Sequence, residues 1–169
     1  MGSWKLRLLI LSKIHLERYD INSHGDLSDY QLCDTTFTAH PREAIEDCLM
    51  ESSRQPVIVL NENQIVGYFT LHFEGGPETY GYDSTKRVLL RALSIDDRYR
   101  RKGYSSQAML LIFDFIEDVL GRVCDSLILA VNVANIPAQA MYEQLGFKRL
   151  REDFPGRFGN LIIMEKDND

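Results

Sequence analysis

The sequence has no continuous apolar stretch of the roughly 20 residues that a membrane-spanning helix needs, so no membrane association is expected. Cysteine is scarce: Cys33, Cys48 and Cys124 lie far apart and form no CxxC pair, which excludes a disulfide framework. Reduced thiols and a cytoplasmic location are the expectation that follows. His15, His24, His40 and His72 are scattered without ligand spacing, so no metal site is expected. An excess of basic charge is also missing. The formal charge is −6, which argues against nucleic acid as the main partner, since phosphate binding needs a basic surface. It is compatible with a cationic substrate such as an amine. Repeats and low-complexity segments are absent, and the first apolar run is too interrupted, by Arg7 and Lys13, to read as a secretion signal.

What is present is an ordinary globular composition, 44% apolar and 26% charged, on a chain whose 169 residues fit one domain, 1–169. Residues 4–11 read as a first strand and residues 12–19 as a short helix. Residues 20–38, rich in Asn, Asp, Ser, Thr and Gly, read as loop with one irregular turn. His40-Pro41-Arg42-Glu43 opens a helix reaching about Ser52. The β-branched run 56–60, the turn 61–63 and residues 64–73 make a hairpin. Residues 74–84 are a surface loop, and the nearly unbroken apolar run 86–95 is a central strand covered on both faces.

Two strand-to-helix units follow. A helix from about Gly103 to Leu120 places Ala108, Leu111, Ile112, Phe115, Ile116 and Val119 on one face. After the strand 125–133, Asn135 caps a short helix with the stripe Ala138, Met141, Tyr142 and Leu145, stopped at Gly146. Residues 147–151 and 160–165 close the sheet. The expected class is α/β, a mixed sheet flanked by helices in the order β-α-α-β-β-β-α-β-α-β-β.

The turn before the long helix draws attention on physical grounds. Arg98, Arg100, Arg101 and Lys102 concentrate positive charge there on an acidic chain, and Gly103 permits a positive φ. The first N–H groups of the helix lack intrahelical partners, and the dipole adds positive potential. These features fit an anion cradle; they fit equally a solvated basic loop with a glycine hinge and a serine cap.

Sequence context separates the two. Arg100, Gly103 and Ser105 resemble the Arg/Gln-x-x-Gly-x-Gly/Ala signature of the GNAT superfamily of N-acetyltransferases, preceded by Leu93-Ser94-Ile95 and followed by an amphipathic helix. Asn135, Ala138, Tyr142, Gly146 and Phe147 are similar to the family's Asn-x-x-Ala-x-x-x-Tyr-x-x-x-Gly-Phe segment. The departure is Ser105, where the family usually has Gly or Ala; Ser is small enough to keep the backbone path. The resemblance covers about residues 56–165, and it implies a GNAT fold with splayed central parallel strands.

The resemblance further implies acetyl-CoA as acyl donor. Backbone amides of Arg101, Lys102, Gly103, Tyr104, Ser105 and Ser106 would bind its pyrophosphate, with charge from Arg100, Arg101 and Lys102. Leu93, Ser94 and Ile95 would face the pantetheine arm, with an N–H of Leu93 or Ile95 turned to the thioester oxygen. Asn135 would bond that arm or fix the groove wall. Tyr142 stands where the family places the acid for the departing thiolate, although its stripe position also suits a core tyrosine. The general base stays open among Glu74, Glu78, Asp83, Ser94 through water, or none. His72 reads as a groove residue or as a core or surface histidine, and the tail 154–158 as an acceptor wall or a turn.

The implied reaction is acetylation of a primary amine by direct attack in a ternary complex. A small amine or polyamine ranks first as acceptor, because residues 91–109 look like bacterial diamine and polyamine acetylating members. A protein or peptide amine comes next, then an aminoglycoside-type molecule. A non-catalytic acetyl-CoA-binding module is the alternative class, and transfer of a longer acyl group is a third. Dimers are common in the family, so a homodimer is the assembly the resemblance offers.

Overall fold

The computed structural model describes residues 13–169. The strand expected over residues 4–11 lies outside them. The first element described is a strand, β1 (Ile14–Arg18), where a short helix was expected. The reason is period: Ile14 is buried and Leu16 partly so, while His15, Glu17 and Arg18 are exposed, an alternation of two that suits an edge strand. A one-turn helix α1 (Ile21–His24) and a ten-residue helix α2 (Pro41–Met50) follow. Pro41 sits in the first turn of α2, and the His40 ring accepts a hydrogen bond from the Arg42 N–H, so an imidazole serves as the cap.

The sheet has seven strands in the order β1-β2-β3-β4-β5-β7-β6. Its members are β2 (Arg54–Asn61), β3 (Gln64–His72), β4 (Arg87–Ile95), β5 (Ser126–Asn132), β6 (Lys148–Phe154) and β7 (Leu161–Asp167). Among the described residues only β4 and β5 pair in parallel; every other ladder is antiparallel. This is the mixed α/β arrangement the sequence implies.

Alternation along the strands sends side chains to both faces, where three buried clusters form. On one face Val57, Val59, Phe69, Leu71, Val88, Leu90, Leu127 and Leu129 pack against Ala108, Met109, Ile112 and Ile116 of the long helix. On the other, Ile58, Leu60 and Tyr68 meet Leu27, Tyr30, Leu32 and Ala44 of the N-terminal segments. That second face carries the polar chemistry described below.

The long helix departs from expectation in its second half. Regular α3 (Tyr104–Asp114) gives way to a wider π-turn over Phe115–Val119, closed by the Leu120 N–H on the Phe115 carbonyl. The extra residue in the turn rotates Val119 out of the apolar stripe, and it is 51% exposed. Its freed carbonyl accepts a hydrogen bond from Arg18. The last helix, α4 (Ile136–Gln144), stops as expected at Gly146, whose φ is +95°.

Candidate active site

The central parallel pair is short. β4 and β5 are in register only at Arg87↔Ser126, Val88↔Leu127 and Leu89↔Ile128, yet they run on to Ile95 and Asn132. Beyond Leu89 and Ile128 they part, and the facing backbone groups have no ladder partner across the gap. Unpaired strand edges of this kind bind extended polar chains. A groove of about 860 Å³ fills the gap, lined by residues of both strands and reaching from residues 100–106 at one end to α2 at the other.

The turn end is built from backbone. Arg101 and Gly103 both take positive φ, 63° and 77°, so the chain coils just before α3 begins. Gly103 caps α3 without any side-chain hydrogen bond, so neither Ser105 nor Ser106 acts as the cap. The first intrahelical bond runs from Gln107 to the Gly103 carbonyl. The N–H groups of Tyr104, Ser105 and Ser106 precede that bond and so have no intrahelical acceptor, which leaves donors at a positive dipole end. A Cβ on Gly103 would meet nothing nearer than the Gln107 side chain at 3.7 Å, so conformation rather than space selects glycine here.

The turn is held from behind. The Asp96 carboxylate is fully buried; burial alone would raise its pKa. The Arg98 guanidinium and the Gln31 and Arg98 N–H groups outweigh that and keep it below the usual carboxylate range. Arg98 is thereby committed to Asp96 and to the Asp29 carbonyl. Arg100 pairs with Asp97 at 3.1 Å but stays half-exposed and lines the groove, as does Arg101; Lys102 is exposed and does not line it. Tyr104 accepts a hydrogen bond from Asn61, which ties the start of α3 to the β2–β3 hairpin.

The wall beyond β5 is α4. The Asn135 side chain accepts from the Ala138 N–H at 3.4 Å as the cap of that helix, while the residue lines the groove. Buried Gln139 donates to the carbonyls of Asn132 and Val133 and so fixes the end of β5. Tyr142 lines the groove and packs edge-on to Phe147 at 5.4 Å, and its hydroxyl makes no hydrogen bond among the described residues. Loss of water around it pushes its phenol well above the ordinary value, so it holds its proton at neutral pH.

The far end is made of side chains, and its geometry depends on an irregularity in β4. Tyr68 pairs with Ser94 and Thr70 with Arg91, so Ala92 and Leu93 together stand opposite the single residue Phe69. Ala92 at this β-bulge has φ +54°, the left-handed region. In a regular strand Arg91 and Ser94 would point to opposite faces. The bulge turns both to the second face, where Ser94 Oγ meets the buried Tyr30 hydroxyl at 2.7 Å and Arg91 reaches His72.

His72 is buried, with Nε2 at 2.8 Å from Glu51 and Nδ1 at 3.3 Å from Arg91 Nη1. A guanidinium can only donate, so Nδ1 accepts and the proton sits on Nε2, donated to Glu51. Burial lowers the His72 pKa against the opposing pull of Glu51, so the ring is neutral. Arg54 shares the same Glu51 carboxylate at 2.8 Å. A Cβ on Gly76 would lie 2.5 Å from the His72 carbonyl, so glycine lets the 74–84 loop close over this ring.

The expected bases are elsewhere. Glu74 pairs with Arg122, Glu78 accepts from the Gly75 and Ser84 N–H groups, and Asp83 accepts from Thr85. None of the three lines the groove, and the Ser94 hydroxyl is bound to Tyr30. The 154–158 segment is a turn outside the groove. The structure thus gathers Leu93, Ser94, Ile95, Arg100, Arg101, Gly103, Tyr104, Ser105, Ser106, Asn135 and Tyr142 around one groove. The sequence did not single out Asp47, Arg54, Thr70 and Arg91, which line its far end. The polar positions 68, 70 and 72 on an otherwise apolar strand were the available signal.

Comparison with known proteins gives a consistent result. Residues 24–147 match the family model described as Acetyltransferase (GNAT) family. The chain is 37% identical over 133 residues to the uncharacterized N-acetyltransferase YbbJ of Bacillus subtilis (strain 168), covering 78% of this chain and 81% of that one. Among solved structures, a spermidine N-acetyltransferase SpeG chimera from Vibrio cholerae and hSSAT superposes with a TM-score of 0.66 at 14% identity, covering 92% of this chain and 96% of that one. A GNAT family acetyltransferase from Elizabethkingia anophelis with acetyl-CoA bound gives 0.62 at 15% identity, covering 92% and 99%. At such identities the structural likeness speaks to the fold alone.

Proposed function

Because the chain belongs to the Acetyltransferase (GNAT) family, we propose that it moves the acetyl group of acetyl-CoA to a small primary amine by direct attack in a ternary complex. Membership makes it an N-acetyltransferase with acetyl-CoA as donor, the molecule bound in the Elizabethkingia anophelis neighbour. The observation that carries the finer reading is the single groove joining the turn at the start of α3 to the open edge of β4 and then to a polar pocket.

Each part of the groove has a task in this reading. The amides of residues 101–106 take the pyrophosphate, with Arg100 and Arg101 adding charge and Lys102 contributing only from outside. The open edge at Leu93, Ser94 and Ile95 receives the amide-bearing pantetheine arm, and an N–H of Leu93 or Ile95 polarises the thioester oxygen. Asn135 shapes the opposite wall through its cap. The amine nitrogen bonds to the carbonyl carbon as the carbon–sulfur bond breaks. Tyr142 gives its proton to the departing sulfur and is reprotonated from solvent.

Direct attack is supported by what the groove offers as nucleophiles. No cysteine or histidine lines it among the described residues, and burial pushes the Cys124 thiol up to about 12. With the carboxylate candidates engaged elsewhere, the ammonium proton leaves to water. The test is thiol release from acetyl-CoA across an amine panel. Release that requires the amine, with intersecting initial-velocity lines, is expected. Amine-independent release or parallel lines would overturn the reading.

A further inference from the structure

The far end of the groove carries a charge arrangement that narrows the acceptor, given the transferase reading above. Glu51 is the carboxylate at the centre of the network, and it is already shared: Arg54 Nε lies 2.8 Å from one oxygen and His72 Nε2 2.8 Å from the other. Its side chain is part-exposed, and Arg54 supplies the matching charge. Asp47, the other carboxylate nearby, is exposed on α2 at the rim. Arg91 is different. It is partly buried and lines the groove, and among the described residues no carboxylate pairs with it directly; its hydrogen-bonding contact is the neutral His72 ring. Burial is the main influence lowering the Arg91 pKa and Arg54, which lines the same cavity, adds repulsion, while Glu51 and Asp47 act against both without touching it.

A guanidinium keeps its charge under all ordinary conditions, so partial burial without a directly paired carboxylate favours the arrival of an anion. Its planar fork matches a carboxylate, and only one of its five N–H donors is engaged by His72. The β-bulge at Ala92 and Leu93 is what brings this fork to the second face, two residues along β4 from the open edge at Leu93. Two residues of strand span roughly 7 Å, so a carboxylate at Arg91 leaves its own molecule's amine within short reach of that edge. The Thr38 hydroxyl, buried without a partner in a residue lining the same pocket, adds a free donor.

We propose that the acceptor is a small amine that also bears a carboxylate, an amino acid or short amino-carboxylate, and that Arg91 is the specificity-determining residue that holds the carboxylate. A polycation would bring like charge against Arg91 and Arg54 in a confined space, and among the described residues the carboxylate that lines the groove, Asp47, stands exposed at its rim.

Matched pairs differing only in the carboxylate test this: lysine against cadaverine, arginine against agmatine, phenylalanine against phenethylamine. In the wild-type enzyme the best amino-carboxylate should exceed its decarboxylated partner at least about ten-fold in kcat/KM, the scale of a charge-assisted bidentate contact. Arg91→Gln should erase that ratio by raising KM for the amino-carboxylate alone, with KM for acetyl-CoA unchanged; Arg91→Lys should restore part of it. Calorimetric titration of each pair into the protein–CoA complex reads the same preference without turnover, so a failure of transfer is told apart from a failure of carboxylate recognition. The proposal falls if decarboxylated amines or polyamines are preferred by the wild type in rate and in binding. It falls equally if Arg91→Gln weakens both members of a pair alike.

Discussion

In the proposed reading the binding groups at the turn end of the groove are main-chain amides of neighbouring residues, 101–106, set by two positive φ angles and a helix start. At the far end they are side chains drawn from α2, β2, β3 and β4, namely Asp47, Arg54, Thr70 and Arg91, backed by Glu51 and His72. The first needs one special backbone conformation and tolerates most side chains around it. The second needs particular side chains at positions far apart in the chain. A donor molecule common to a whole family suits the first design, and an acceptor that varies between members suits the second.

The largest effect belongs between the two ends, where the bond changes. Tyr142→Phe should lower kcat about 100-fold, the low end of general-acid contributions, while KM for acetyl-CoA and for the amine stays near wild type. Unchanged turnover would return Tyr142 to the hydrophobic stripe it also belongs to. Next comes the backbone end. Gly103→Val places a branched side chain at φ +77° and should raise the acetyl-CoA KM about ten-fold without altering the amine KM. Equal change in both would mean that the ends are not separable.

Smaller still is the pH response of the far end. His72 is neutral in the fold, with its pKa below the ordinary 6.5 because burial disfavours the charged ring. The unfolded chain takes up the proton first, so this stabilisation is present above pH 6.5 and is lost as pH falls through the folded pKa. The melting temperature of the wild type should therefore decline more than that of His72→Gln between neutral pH and about pH 5, above the range where carboxylates titrate. A parallel decline would remove His72 as the cause. The least effect is assigned to Lys102→Ala: exposed and off the groove lining, it should shift acetyl-CoA KM by less than about two-fold at physiological salt.

The same contrast explains what could be read from the sequence. The turn is encoded locally, so Arg100, Gly103 and Ser105 announce it at fixed spacing, and the strand and helix either side are marked by their own periodicity. The Asn135-to-Phe147 unit is local in the same way. The polar end was hidden because its residues meet only after β2, β3 and β4 pair, and because the bulge at Ala92 breaks the alternation by which strand residues are assigned to faces. Read as a regular strand, β4 would place Arg91 and Ser94 on opposite sides. The misplaced start has another cause. Ile14 and Leu16 are two apolar positions, too few to separate a short helix from an edge strand. The π-turn after Asp114 was beyond reach because one added residue in a helical turn leaves composition unchanged.

The short seam between β4 and β5 also has a mechanical side. Among the described residues, three paired positions, the backbone bonds at Lys86 and the core shared beneath them join a four-stranded plate, β1 to β4, to a three-stranded plate of β5, β7 and β6. A chain that bonds both open edges supplies the missing rungs, so occupancy and cohesion of the two plates are linked in one equilibrium. Amide exchange should slow on acetyl-CoA binding at residues 90–95 and 129–132, while the β2–β3 hairpin is unaffected. Deprived of its donor, the molecule would yield first along this seam, so heat or protease sensitivity becomes a gauge of donor supply.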